Sequence, residues 1–235
     1  MSSPANSAPQ LSNLKATAIL DIEHETVQKL AERFLQSDSS GQALLQKVHI
    51  HLSRTLRPVY SVDEWQPASR TIQRGRGSCS QRMACLEAIA RTCRVPTRVR
   101  ALHVKGSFWY PRFQFSRWFI PGRILLLWPQ FHIEGSWLDF DELHLPLADM
   151  VANGQAGFTN DAESLFEAVR NKPIDFTGKT CGLTCAKPEH DLSMFILNDE
   201  GFFDTRDEAF ERFGSFGQTL RGRVFEMVFG DRKST

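Results

Sequence analysis

The chain has 235 residues, of which 41% are apolar and 23% are charged, and its formal net charge is +1. No apolar run approaches the ~18 residues of a membrane-spanning helix. A charge so close to zero also argues against a general nucleic-acid-binding protein. We therefore expect a soluble globular protein with one main domain.

The composition of residues 1–14, which are rich in Ser, Pro, Asn and Ala, predicts a disordered tail. They lack the basic start and apolar centre of a signal peptide. The odd number of cysteines, five, favours a reducing compartment over a disulfide framework. We thus expect a cytoplasmic protein whose core spans residues 15–150 and whose α/β extension, residues 151–235, packs on that core.

A cysteine stands where a turn becomes a helix. Gly75 and Gly77 can adopt backbone angles that other residues avoid, and Ser78 is a good N-cap, so a helix is predicted to begin at Cys79. Unsatisfied backbone N–H groups and the helix dipole at this end favour the thiolate form of a cysteine. Two amphipathic helices, predicted at residues 24–36 and 42–56, are expected to pack against the Cys79 helix.

Two strands are predicted after this helix, over residues 97–105 and 124–133, and we expect them to be antiparallel. Glu134 and Gly135 form a two-residue turn pattern. Such a turn pairs His132 with Trp137 in a hairpin. It also brings Trp128 opposite Asp141.

These segments resemble the transglutaminase-like superfamily of papain-like cysteine enzymes, over about residues 40 to 145. The matching positions are Gly77, Cys79, Met83, Ala84, Val95, Pro96, Thr97, Arg98, Val99, Trp128, Gly135, Trp137 and Asp141. The resemblance implies an α+β fold in which the Cys79 helix packs on an antiparallel sheet, with further helices at both ends. It also implies that Cys79 is the nucleophile and Asp141 the orienting carboxylate of a Cys-His-Asp triad.

The catalytic histidine of the family is replaced here by Leu126, and Gln130 stands where the family often has Glu. His103 is our candidate for a relocated base, because its strand end neighbours the start of the next strand; the alternative is an ordinary strand histidine. His132 lies too near the hairpin tip to substitute. His144 is a weaker candidate, and His49 and His51 are expected on the surface of their helix.

A basic, aromatic segment connects the two strands. It contains seven aromatic residues within 106–123, and the longer span between Glu87 and Glu134 has eight cations and no acid. The segment is either a lid over a substrate or a further buried strand carrying Phe113 and Phe115. The candidate substrate contacts are Trp65, Trp109, Arg112, Arg117, Trp128, Gln130 and His132.

The C-terminal part is predicted to contain a helix at 161–170, a strand at 192–197 ending in a turn at 198–201, and helices at 206–213 and 219–229. The phenylalanines of the last helices must bury their rings in this domain or in a homodimer. Cys181 and Cys185, with His190 beyond them, are spaced unlike a common zinc site, so we interpret them as structural. No metal or cofactor is implied.

Three functions follow from this pattern. The first is cysteine-dependent acyl transfer, or amide formation or hydrolysis, through a Cys79 thioester, acting on a small or carrier-bound anionic substrate. The second is an atypical lyase or cyclase that uses Cys79 and Asp141 without the histidine. The third is a degenerate member whose cleft only binds a peptide or partner protein, with Leu126 filling the place of the histidine.

Overall fold

The computed structural model describes residues 8–35, 41–113, 116–179 and 191–234. The helices are α1 (Glu25–Leu35), α2 (Gly41–Thr55), α3 (Ala68–Arg74), α4 (Cys79–Thr92), α5 (Leu147–Ala152), α6 (Leu165–Ala168), α7 (Arg206–Phe213) and α8 (Leu220–Phe229). The strands are β1 (Arg57–Pro58), β2 (Arg76–Gly77), β3 (Thr97–Lys105), β4 (Arg123–Ile133), β5 (Ser136–Asp139) and β6 (Ile196–Phe203).

The main sheet is antiparallel, with the strand order β5-β4-β3-β6. β3 and β4 pair along their full length, with Leu102 opposite Leu126. Glu134 and Gly135 have φ angles of 50° and 83°, as a two-residue hairpin turn requires. They pair His132 with Trp137, as predicted. The predicted pairing of Trp128 with Asp141 is not part of the ladder, because β5 ends at Asp139 and Phe140–Glu142 form a 3₁₀-helix.

Helix α4 lies at the centre of the protein and is buried along most of its length. Ser78 caps it: the Ser78 hydroxyl accepts from the Gln81 backbone N–H at 3.3 Å, and Gln81 Oε1 accepts from the Ser78 N–H at 2.9 Å. One apolar core joins α4 to α1, α2, α3 and the sheet. The predicted α+β fold, with the Cys79 helix packed on an antiparallel sheet, is confirmed.

A second, smaller apolar cluster forms around Phe113, Ile120 and Phe225. Gly106–Phe113 is a 3₁₀-helix rather than a strand, and Phe115 lies outside the described residues. Phe113 packs its ring 5.6 Å from that of Phe225 on α8. Phe210 and Phe225 are buried within this chain, whereas Phe213, Phe216 and Phe229 are only partly buried.

Three local predictions are wrong. Helix α6 is shorter than predicted, and α3 forms over residues for which we predicted no helix. Strand β6 runs through the predicted turn at 198–201. The turn-forming residues are accommodated there by two register shifts against β3, and the Gly201 N–H donates to Asp199 Oδ1 at 3.0 Å.

Two polar side chains are more buried than we expected. Leu11–Leu14 form a 3₁₀-helix within the predicted tail, because Asn13 is buried and donates to the Thr97 carbonyl at 3.1 Å. His49 is fully buried rather than on the surface, and its Nε2 lies 2.6 Å from the Phe166 carbonyl oxygen. Burial lowers the pKa of His49 to about 3.

Cys181, Cys185 and His190, which we interpreted as structural, lie outside the described residues. Within the described ranges, no group of three or more His, Cys, Asp or Glu side chains is arranged to hold a metal ion. No helix in this part of the chain is both long and apolar enough to cross a membrane.

Candidate active site

Cys79 is half-buried and lines a cavity of about 140 Å³ at the N-terminus of α4. Most of the wall is apolar. The apolar lining residues are Val59, Tyr60, Val62, Trp109, Phe113, Ile120, Pro121, Ile124, Leu125, Leu126, Leu127, Leu165, Phe216 and Phe225, and the polar ones are Ser61, Glu64, Ser78, Cys79, Ser80, Arg112, Asn160, Ser164 and Ser234. An apolar cavity with a few polar groups is the usual form of a small-molecule site.

Leu126 lines the same cavity as Cys79, so the residue at the histidine position of the family stands in the candidate site. Trp128 lies two residues further along β4 and therefore points to the same face of the sheet. Its indole Nε1 donates to Asp141 Oδ1 at 2.7 Å. Burial, together with the nearby charge of Asp139, raises the pKa of Asp141 to about 7.

His103, the candidate base, does not line the Cys79 cavity. Its Nδ1 lies 2.8 Å from Glu200 Oε1, its ring packs edge-on against Phe213, and it lines a second cavity together with Arg123. Burial lowers the pKa of His103. None of the histidines in the described part of the chain lines the Cys79 cavity.

Two of the candidate substrate contacts, Trp109 and Arg112, line the cavity. The Arg112 guanidinium is already held by neighbours: its Nε donates to Asn160 Oδ1 at 2.6 Å, and it also donates to the Ser234 carbonyl. The basic, aromatic segment thus forms a wall of this cavity. Arg112 stabilises that wall.

The other candidate contacts lie elsewhere. Trp65 packs near Phe210, with ring centroids 6.1 Å apart, and Arg117 is exposed above the Tyr110 ring. The indole N–H of Trp128 already donates a hydrogen bond to Asp141.

Gln130 and His132 lie along the β4-β5 hairpin. Gln130 accepts from Arg98 Nε at 2.7 Å, and the guanidinium of Arg98 stacks over Trp137. The His132 ring centroid is 5.1 Å from that of Trp137, near the hairpin tip. Neither lines the Cys79 cavity.

Sequence reasoning missed Glu64, which lines the Cys79 cavity. Its Oε2 is inaccessible to solvent and has no hydrogen-bond partner among the described residues. Burial raises the pKa of Glu64, while a hydrogen bond with the Ser80 side chain opposes that shift. A single acid between two helices carries no sequence signal that marks it for a cavity.

A buried ion pair between Arg206 and Glu87 lies next to the first turn of α4. Arg206 donates from Nε to Glu87 Oε1 at 2.7 Å, and both side chains are almost fully buried. The same guanidinium donates to Ser80 Oγ at 3.1 Å and to the Leu127 carbonyl at 3.3 Å. Arg206 therefore connects α7 to the residue that follows Cys79.

No family model matches the chain, and no curated protein is similar to it in sequence. Among solved structures, it is similar to that of "a Putative Cysteine Protease from Cytophaga hutchinsonii", with 17% sequence identity and a TM-score of 0.43. The match covers 58% of this chain and 43% of the other, so it spans less than half the length of that protein.

Proposed function

We propose that this protein forms an acyl thioester on Cys79 and passes the acyl group to water or an amine. The observation that carries the proposal is the position of Cys79, at the N-terminus of α4 and on the wall of an apolar cavity. The cavity offers space for the acyl group beside the sulfur.

The helix terminus supports the chemistry of this step. Backbone N–H groups in the first turn of a helix have no intrahelical acceptor, so those of Cys79 and Ser80 are placed to stabilise the oxyanion that forms when the thiolate attacks a carbonyl. Collapse of the tetrahedral intermediate releases the leaving group and leaves the acyl group on sulfur. Attack by water or an amine then regenerates the thiol.

The cavity walls favour a neutral, apolar acyl group as the part of the substrate that enters. Arg112 is the one cation among the lining residues that the structure describes, and Asn160 and Ser234 hold its guanidinium. We therefore propose that the small-molecule or carrier part of the substrate remains outside the cavity. Arg117 does not line the cavity and is exposed, so it is available to an anionic group.

Acyl capture followed by mass spectrometry tests this proposal. The purified protein is incubated with p-nitrophenyl hexanoate or with the hexanoyl thioester of N-acetylcysteamine, and the modified peptide is identified. We expect one hexanoyl group on Cys79, and none on that peptide in Cys79→Ala. Cys93→Ala is the matched control. Absence of an adduct in the parent, or equal hydrolysis by Cys79→Ala, would overturn the proposal.

A second candidate function is non-covalent binding of an apolar ligand or peptide side chain. It is favoured by Leu126 on the cavity wall and by the lack of a histidine among the described lining residues. On this alternative, Cys79→Ser binds a fluorescent fatty acid as tightly as the parent does, and neither hexanoyl donor labels Cys79.

A further inference from the structure

Glu64 lies between two cavities. It lines the Cys79 cavity and also the second cavity, where His103 and Arg123 give the wall a more polar character. Its Oε2 is buried and has no hydrogen-bond partner among the described residues. Buried carboxylate oxygens are normally paired, so this unpaired oxygen marks Glu64 as a group that packing alone does not explain.

The loop that carries Glu64 is fixed against the first turn of α4. Gln81 Nε2 donates to the Asp63 carbonyl at 2.8 Å and to Ser61 Oγ at 3.0 Å. From the other side, the Val62 N–H donates to Glu226 on α8 at 2.6 Å. Glu64 is therefore held in a defined position relative to the turn that presents Cys79.

The Cys79 cavity has room for water beside both side chains. Its volume of about 140 Å³ holds several water molecules, since each needs ~10–15 Å³ measured in this way. A general base acts on its substrate directly or through one such water. Glu64 is the carboxylate that the cavity shares with Cys79 in the described part of the chain.

We propose that Glu64 is the general acid-base of the acyl transfer, serving Cys79 from the first cavity and the acyl acceptor from the second. This inference rests on the proposed function. Ionised Glu64 takes the proton from the Cys79 thiol as the sulfur bonds to the acyl carbon. It then gives that proton to the departing alcohol, thiol or amine as the carbon bond to that group breaks.

The second half-reaction repeats the exchange with the acceptor. Water or an amine enters from the second cavity and loses a proton to Glu64 as it bonds to the acyl carbon. The carbon–sulfur bond breaks, and Glu64 returns the proton to the Cys79 sulfur. Each bond formed is matched by a bond broken, and each proton that Glu64 accepts is passed on, so the cycle needs no oxidant, metal or further co-reactant.

Neighbouring groups shift the pKa of Glu64 in both directions. Burial is the largest influence and raises its pKa, as do the neighbouring charges of Asp63 and Glu226. Arg206 and the Ser80 hydrogen bond act in the opposite direction. Burial therefore favours the protonated form of Glu64, which can act as an acid, while Arg206 and the Ser80 hydrogen bond favour the ionised form, which can act as a base.

The test compares the parent with Glu64→Gln and Glu64→Asp. The matched control is Glu211→Gln, the same chemical change at an exposed position on α7. Three rates are measured on the Cys79 peptide by mass spectrometry: iodoacetamide alkylation from about pH 5 to about pH 9, hexanoyl transfer onto the thiol, and loss of the hexanoyl group. Thermal unfolding of each variant verifies folding.

In Glu64→Gln we expect alkylation at neutral pH to fall about tenfold, and both acyl steps to fall by ~10²-fold or more. Glu64→Asp should keep part of the pH dependence, and Glu211→Gln should match the parent. Parent-like rates in Glu64→Gln would overturn the proposal. A loss confined to acylation would overturn the assignment of the acceptor to the second cavity.

The two proposals fail in different ways. Suppose that the parent captures no hexanoyl group but that Cys79 is alkylated more slowly in Glu64→Gln than in the parent. The acyl-transfer function is then wrong, and Glu64 still serves as the base for Cys79. If hexanoyl transfer proceeds equally in Glu64→Gln and the parent, the function stands and Glu64 has no role in it. Glu64→Gln is expected to fold, because it removes a buried charged group with an unpaired oxygen.

Discussion

The indole of Trp128 donates a hydrogen bond to Asp141 at 2.7 Å, so this carboxylate has a partner although the family histidine is absent. In the resemblance that we described, Asp141 would orient an imidazole at position 126. Here Leu126 occupies that position and lines the cavity of Cys79. The Trp128 indole, two residues along β4 from Leu126, is the group that contacts this carboxylate.

Replacing Leu126 by histidine should activate Cys79. The new imidazole would stand on the wall of the Cys79 cavity and on the same face of β4 as Trp128. We expect Leu126→His to increase Cys79 alkylation at neutral pH about tenfold and to increase ester hydrolysis, because a base next to a thiol promotes its ionisation. Rates of iodoacetamide alkylation and p-nitrophenyl hexanoate hydrolysis measure this.

Leu126→Gln is the matched control, since it adds polarity without a base. Both variants should lose about 1–3 kcal/mol of unfolding free energy, because each places a polar group in a largely apolar wall. Equal alkylation rates in the two variants would show that a base at position 126 does not promote ionisation of the Cys79 thiol.

Removing the charge of Asp141 should stabilise the protein at high pH. The pKa of Asp141 is about 7 in the folded protein, compared with 3.8 for an ordinary aspartate, because the carboxyl is buried. The folded state therefore binds more protons than the unfolded state between about pH 4 and pH 7, and stability falls as the pH rises through that window. Above it, the cost approaches about 4 kcal/mol at most.

Asp141→Asn keeps an oxygen that can accept from Trp128. We expect this variant to unfold at a higher urea concentration than the parent at pH ~8 and at nearly the same concentration at pH ~4. A stability difference that does not change with pH would contradict the assignment of a raised pKa to Asp141. Asp149→Asn, on the exposed side of α5, is the control.

Local sequence signals predicted the elements that depend on neighbouring residues. The Glu134-Gly135 turn fixed the hairpin register, and the caps and apolar spacing predicted α4 and α7. The end of strand β6 was predicted too early for the opposite reason. Its Asn198–Gly201 segment has turn chemistry, and only pairing with the distant strand β3 makes it extended.

The cavity could not be predicted because its wall combines residues far apart in the chain. Cys79 was identified from its helix position, whereas Glu64 and Phe225 reach the cavity through tertiary packing of a loop and the last helix. His49 shows the same limit. It was predicted on a helix surface, but it hydrogen-bonds to the Phe166 carbonyl and contacts His144, and both residues are distant in the sequence.

Native alkylation should distinguish Cys79 from Cys85 in α4 and from Cys93, which follows the helix. Burial raises the pKa of Cys93 to about 11 and also raises the pKa of Cys85, which is fully buried. At neutral pH, the thiolate fraction of Cys93 is then only ~10⁻⁴. We expect Cys79 to react first with iodoacetamide, Cys93 much later, and Cys85 only after unfolding.

Peptide-level mass spectrometry measures these rates separately from those of Cys181 and Cys185. In urea, Cys79, Cys85 and Cys93 should react at similar rates, because unfolding removes the effect of burial. A Cys93 peptide that is modified as fast as the Cys79 peptide in the native protein would contradict the prediction.

Breaking the buried pair of Arg206 and Glu87 should be costly. Arg206→Met leaves the buried Glu87 carboxylate without its cation, and we expect a loss of ~3–5 kcal/mol of unfolding free energy. The double variant Arg206→Met/Glu87→Met should recover much of this loss, since two packed apolar side chains replace the pair. Arg212→Met, an exposed change on the same helix, should cost less than ~0.5 kcal/mol.

The same variants separate the contribution of Arg206 to stability from its effect on Cys79. Arg206 also holds Ser80, the residue after Cys79, so the double variant should remain slower than the parent in hexanoyl transfer even where its stability has recovered. Urea unfolding and acyl capture on the same samples measure the two effects. Parent-like acyl transfer in the double variant would mean that the contact between Arg206 and Ser80 supports the fold alone.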